Sequence, residues 1–139
     1  MKPLPSPPGP QRWQDLPNAP ACGTVLTPLE AVADGQVLMV EVDAAPGPDL
    51  VKPFHVLVLR SGGVVSAFAN RCAHFGVPLA ARQSQLIFHP HASITCNVHY
   101  ARYRWSDGVC DRGDCEGERL LPIAVEVDDL GQVRIAHAD

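Results

Sequence analysis

An antiparallel all-β domain is the fold this sequence predicts, and two observations carry that reading. Breakers are dense: fourteen prolines and eleven glycines among 139 residues leave little room for long helices and favour short strands joined by turns. The apolar residues also fall in short runs, rich in β-branched types and bounded by Gly, Pro, Asp or Ser, which is the pattern of strands and hairpins. With 46% apolar and 19% charged residues, a chain of this length has the material for one packed core, and so for one domain.

The elements follow in order. Residues 1–20 hold seven of the prolines and read as an extended lead-in. Trp13 and Leu16 can pin this lead-in to a domain that fills 21–139. Thr27–Val32 offers the one short helical turn. Gln36–Val42 is the first strand, and Ala44–Asp49 a Pro-rich loop. Phe54–Arg60 and Val64–Asn70 are two more strands, joined by Ser61-Gly62-Gly63, where glycine supplies the positive φ of a tight hairpin. Leu86–Phe88 and Ser93–Thr95 flank His89-Pro90-His91 as a further strand pair. Arg102–Trp105 is a short strand ended by Ser106-Asp107-Gly108. Ile123–Val127 and Gln132–Ile135 flank Asp128–Gly131 as the last hairpin.

The charge pattern excludes several functions. A formal charge of −4, with no long Lys/Arg run, is the wrong sign for a nucleic-acid binder. No stretch reaches eighteen apolar residues, so no membrane helix is expected. The N-terminal segment lacks the apolar run of a secretory signal, and a cytoplasmic protein is expected. Five cysteines in a reducing compartment read as metal ligands or plain thiols before they read as a disulfide framework.

Two short segments concentrate the chemistry. Arg71-Cys72-Ala73-His74-Phe75-Gly76-Val77-Pro78-Leu79 holds a C-x-H pair, and Cys96-Asn97-Val98-His99 holds C-x-x-H. Each pair follows a predicted strand and opens a loop. Four such residues can make a Cys2His2 zinc site. A zinc finger, however, groups its cysteines apart from its histidines, often on a helix, whereas here each loop has one of each. A [2Fe-2S] cluster with mixed ligation needs that division, with two thiolates on one iron and two neutral imidazoles on the other. Neutral imidazoles also raise the reduction potential, and their exposed edges give an electron a short way out.

These residues resemble the Rieske-type iron–sulfur proteins. The match is carried by the C-x-H…C-x-x-H order, by AFANRCAH as the strand entering the first loop, and by Gly76-Val77-Pro78-Leu79 as its continuation. Tyr103, Gly108 and Cys115 also sit where soluble Rieske ferredoxins tend to have an aromatic, a turn glycine and a cysteine. The resemblance spans about residues 25–136. It implies a β-sandwich base with a smaller cluster-binding subdomain of two ligand loops, and one [2Fe-2S] cluster per chain on Cys72, His74, Cys96 and His99. It implies a one-electron carrier without a catalytic residue of its own. Such a carrier takes electrons from a flavin reductase and gives them to a terminal oxygenase of aromatic-ring or related catabolism. A small Rieske subunit of a larger oxidoreductase, or a zinc-stabilised interaction module, stands as the alternative.

The resemblance also marks two tuning positions, the second and fourth residues after the second-loop histidine. High-potential respiratory members have Ser and Tyr there, whose hydroxyls donate to sulfur. This chain has Ala101 and Tyr103, which implies a potential in the lower part of the family range of about −150 to +300 mV. Two departures stand out. Tyr100 occupies a position that is usually Gly, and the longer spacing between the ligand pairs reads as an insertion at Ser84–Ser93. Of the remaining candidates, His89 and His91 read as a surface turn rather than extra ligands. His55 alternates within a strand and reads as a surface or packing histidine, and His137 lies in the tail. Cys110 and Cys115 read as ordinary thiols, and Cys22 as a structural small hydrophobe. The acid-rich segment Asp107–Asp129 is either a solvated face or a docking surface for a basic partner.

Overall fold

The computed structural model describes residues 13, 19–42, 54–71, 78–97, 100–113 and 116–136. Cys72, His74, His99, Cys115, His137, Leu16 and the 44–49 loop lie outside the described residues. The strands in chain order are β1 Val25–Pro28, β2 Val37–Val42, β3 Phe54–Ser61, β4 Val64–Ala69 and β5 Ile87–His89, then β6 Ser93–Thr95, β7 Arg102–Arg104, β8 Cys110–Arg112, β9 Val125–Val127 and β10 Gln132–Ile135. They form three sheets, ordered β1-β10-β9, β2-β3-β4 and β5-β6-β7-β8, with antiparallel pairing in each.

The middle sheet is buried on both faces, and the period-2 alternation of side chains explains how. Val56 and Val58 of β3, Ala67 and Ala69 of β4, and Val42 of β2 pack with Leu26, Ile123, Val133 and Ile135 of the β1-β10-β9 side. Leu57 and Leu59, Phe68 and Val37 point the other way, onto Ile94, Cys96, Ala101, Tyr103 and Trp105. Each of these fully buried Leu or Val side chains contributes roughly 1.5–3 kcal/mol of apolar burial. The first core is that of a sandwich, and the second holds the four-stranded subdomain against it. Trp13 is buried in the sandwich core, and the rest of residues 1–18 lies outside the described residues.

The hairpins form where the glycines and aspartates fall. Ser61 pairs with Val64, which leaves Gly62-Gly63 as a two-residue turn with Gly62 at φ 60°. Asp128 Oδ1 accepts the N–H groups of Leu130 and Gln132 and closes the β9–β10 turn.

One reading changes, and one further strand comes into view. The helical turn expected over Thr27–Val32 is only a 3-10 turn at Leu29–Ala31, because Thr27 and Pro28 belong to β1. Strand β8 had no alternating apolar run to announce it. The strand pair expected around His89-Pro90-His91 is present as β5 and β6, and β5 lies within the stretch Ser84–Ser93. Leu86 and Phe88 from it pack on the subdomain core.

Two contacts fasten subdomain to base. The Gln83 amide accepts from Met39 N at 2.6 Å and donates to Val37 O at 2.9 Å, occupying the open edge of β2. His91 Nδ1 meets Ser61 Oγ at 2.8 Å, and its Nε2 lies 3.8 Å from Asp34 Oδ2. Gly35 makes room for that ring: a Cβ there would lie 3.0 Å from His91 Nε2. Among the described residues, no helix is long and apolar enough to cross a membrane.

Candidate metal centre

The first ligand loop leaves β4 at Asn70 and returns at Pro78. Asn70 closes it. Its Oδ1 accepts Leu79 N at 2.9 Å and its Nδ2 donates to Ala80 O at 2.9 Å, while its own N–H donates to His55 O. The side chain is buried, so these bonds satisfy groups that water does not reach. Cys72 and His74 sit on the segment between these fixed ends, outside the described residues.

The second loop starts where β6 ends. Cys96 is completely buried, and its N–H donates to Ala101 O at 2.8 Å. Tyr100 N donates back to Cys96 O at 2.9 Å, so the chain returns to Cys96 four residues on. The two loops are joined directly, since Asn97 N donates to Leu79 O at 2.8 Å and Asn97 Nδ2 to Gln85 O at 2.7 Å. Cys96, Ala101 and Tyr103 thus share one core, and the roots of the Cys72–His74 segment are bound beside them. His99 lies outside the described residues.

Tyr100 explains its own oddity. It adopts φ 60°, the left-handed region that glycine enters at little cost, and its side chain is 66% exposed. The turn is therefore the same kind that a glycine would make, with the ring turned out into solvent.

The other candidates are accounted for elsewhere. His89 and His91 are exposed, and His91 belongs to the Ser61–Asp34 contact. Among the described residues, no group of three or more His, Cys, Asp or Glu is placed to hold a metal. Cys110 is buried and its thiol donates to Arg112 O at 3.2 Å. Cys22 is half-buried and packs on the sandwich core.

Three acids of the acidic segment are neutralised by arginines. Arg104 pairs with Asp107 and Arg102 with Asp111, the latter at 2.8 Å. The Arg104 hydrogen bond, then that from Val109 N, holds the Asp107 carboxyl below the usual carboxylate range. Arg102 does the same to Asp111. At Asp128 the Gln132 N–H is the larger cause, with Arg134 adding to it.

Sequence reasoning missed Asn70 and Gln83 as site residues. Both act on backbone groups distant in sequence, so no local motif marks them.

A family model of the Rieske [2Fe-2S] domain matches residues 24–128. Among solved structures, the chain is similar to the ferredoxin of carbazole 1,9a-dioxygenase from Nocardioides aromaticivorans IC177, with 21% identity and a TM-score of 0.61 over 85% of this chain and 100% of that one. It is also similar to the terminal oxygenase of carbazole 1,9a-dioxygenase from Novosphingobium sp. KA1, with 24% identity and a TM-score of 0.64 over 86% of this chain but only 31% of that one. A reduced complex between oxygenase and ferredoxin in carbazole 1,9a-dioxygenase gives 22% identity, a TM-score of 0.64 and coverage of 86% and 30%. No curated protein matches in sequence. Domains of this family hold one [2Fe-2S] cluster, and the described residues fit it. A buried thiol at the root of the second loop suits a thiolate ligand, and the other ligand segment is rooted against it. The match over most of the sequence and the sandwich-plus-subdomain architecture agree, and the chain belongs to the Rieske [2Fe-2S] family.

Proposed function

We propose that this protein is a one-electron carrier that accepts electrons from a flavin reductase and delivers them to a terminal oxygenase, working in the cytoplasm and away from membranes and nucleic acids. When bound, the [2Fe-2S] cluster takes up and releases one electron. Cys72 and Cys96 would hold the inner iron as thiolates, and His74 and His99 the outer iron through neutral imidazoles. Asn70 and the Leu79–Asn97 bond hold the two loops at fixed separation, which keeps reorganisation on electron transfer small. The buried Cys96 side excludes water, while the histidine side would face the partner. Tyr103 would donate its hydroxyl to a ligand sulfur, and Ala101 has none to give. No residue here is assigned a catalytic role.

The observation that carries this reading is the pair of motif loops hydrogen-bonded root to root inside a family-matched domain. Purified protein should contain two iron and two sulfide per chain. The reduced state should show magnetic coupling to two imidazole nitrogens. Zinc without sulfide would sink the proposal. A second reading, a small subunit of a larger oxidoreductase, is favoured by one fact: the same fold makes up under a third of longer oxygenase chains. Co-purification with a large subunit distinguishes the two.

A further inference from the structure

Ala101, where the second ligand loop returns, is met from outside by a residue that has no side chain. Strand β8 pairs with β7 with a shift in register, since Arg102 faces Arg112 but Tyr103 faces Cys110. Asp111 is the extra residue of this bulge, and its carboxylate is held by Arg102. Continued one step, the register brings Gly113 onto Ala101. A Cβ at Gly113 would lie 2.9 Å from Ala101 Cα, 3.2 Å from its Cβ and 3.6 Å from its N. Two of these atoms are backbone, so the contact cannot be relieved by turning a side chain. Gly113 is exposed whereas Ala101 is buried; Gly113 is therefore the outer cover of that residue.

Ala101 in turn is fixed to the site. Its carbonyl receives the Cys96 N–H at 2.8 Å, and Tyr103 follows two residues on in the same core. Any push on Ala101 reaches Cys96 through one hydrogen bond and Tyr103 through the chain.

We propose that Gly113 is a positioning residue of the cluster site: lacking a side chain, it lets the end of β8 lie on Ala101 and seats the second ligand loop in the geometry that sets the cluster's potential. This rests on the cluster reading above. Backbone strain alone is a competing explanation, because Gly113 has φ 112° and any other residue is strained there. Gly117 separates the two. It has φ 89°, and a Cβ there meets nothing within 4 Å. Alanine at 117 brings left-handed strain without a collision.

The test uses the cluster-loaded protein, with g-values of the reduced state and the reduction potential as readouts. Gly113→Ala should move the g-values and lower the potential, because donors to sulfur lose their alignment. Gly117→Ala should leave both at their wild-type values. If Gly113→Ala does not fold, Ala101→Gly removes the methyl on which Gly113 rests, and it should move the same readouts by less. Wild-type g-values and potential in Gly113→Ala, or in Ala101→Gly in its place, overturn the proposal. A wild-type protein without iron and sulfide fails earlier and would indict the cluster reading instead.

Discussion

Tyr100 holds a conformation that costs an L-residue about 1–2 kcal/mol and glycine almost nothing. Its ring finds no compensating burial, being mostly in solvent. Tyr100→Gly should therefore stabilise the folded state by up to about 1 kcal/mol, the gain being trimmed by the larger entropy of an unfolded glycine. The thermal midpoint for loss of cluster absorbance should rise by a few degrees, and an unchanged or lower midpoint would show that the ring makes a contact worth keeping. Tyr103 is the opposite case, a fully buried ring in the core that holds Cys96. A hydroxyl donating to sulfur stabilises the more negative, reduced state. One net hydrogen bond of about 0.5–1.5 kcal/mol corresponds to roughly 20–65 mV for one electron. Tyr103→Phe should lower the potential by that amount, and Ala101→Ser should raise it by a similar one. Redox titration of the two variants checks both signs, and no change in Tyr103→Phe with the cluster intact would mean that its hydroxyl serves another acceptor.

Strands announce themselves in a sequence when their two faces differ or when both are apolar, and this sorts the elements here. β2, β3 and β4 were legible because their runs are long, and the register Ser61 to Val64 follows from Gly62-Gly63. β8, with the sequence Cys-Asp-Arg, has one inward residue and two charges outside; it exists because Arg102 and the β7 backbone receive it. β1 was hidden by the helix-like spacing of Leu29 and Val32, which in fact is one 3-10 turn with Val32 driven into the sandwich core. Cys96 was legible by motif spacing alone, whereas Asn70 was not, since what it does depends on backbone nine and ten residues away. That dependence gives an element-scale prediction. Asn70→Ala leaves a buried N–H at Leu79 and a buried carbonyl at Ala80 without partners. Each such group costs about 1–3 kcal/mol, so the variant should lose roughly 2–4 kcal/mol of stability. Because the loss falls at the mouth of the first loop, cluster release under chelator should accelerate well beyond what a core truncation of equal cost on the β1-β10-β9 side produces. Equal release rates in the two variants would show that Asn70 supports the fold and not the loop.

For the whole molecule the deciding quantity is where uncompensated charge lies. The chain carries a formal −4, and the acid-rich stretch 107–129 first reads as one negative surface. The structure divides it. Asp107, Asp111 and Asp128 are each held by an arginine, and all three carboxyl pKa values are pushed down, so these pairs stay ionised at neutral pH and cancel locally. Glu116, Glu126 and Asp129 are exposed and form no ion pair among the described residues. If this surface steers a basic partner, those three charges take part in it and the paired Asp107, Asp111 and Asp128 do not. Exposed charges are screened beyond about 8 Å at physiological ionic strength, and steering acts on the encounter rate more than on affinity. The second-order rate of electron delivery to the proposed terminal oxygenase should therefore fall as salt rises, but gently. Replacing Glu116, Glu126 and Asp129 by their amides should flatten the salt dependence. Asp107→Asn should flatten it too, because it frees the positive charge of Arg104 on this face, and unlike those three it also disturbs the turn at Val109. A rate independent of salt in the wild type would mean that the acids are only solvated, and that the partner approaches the histidine side by shape.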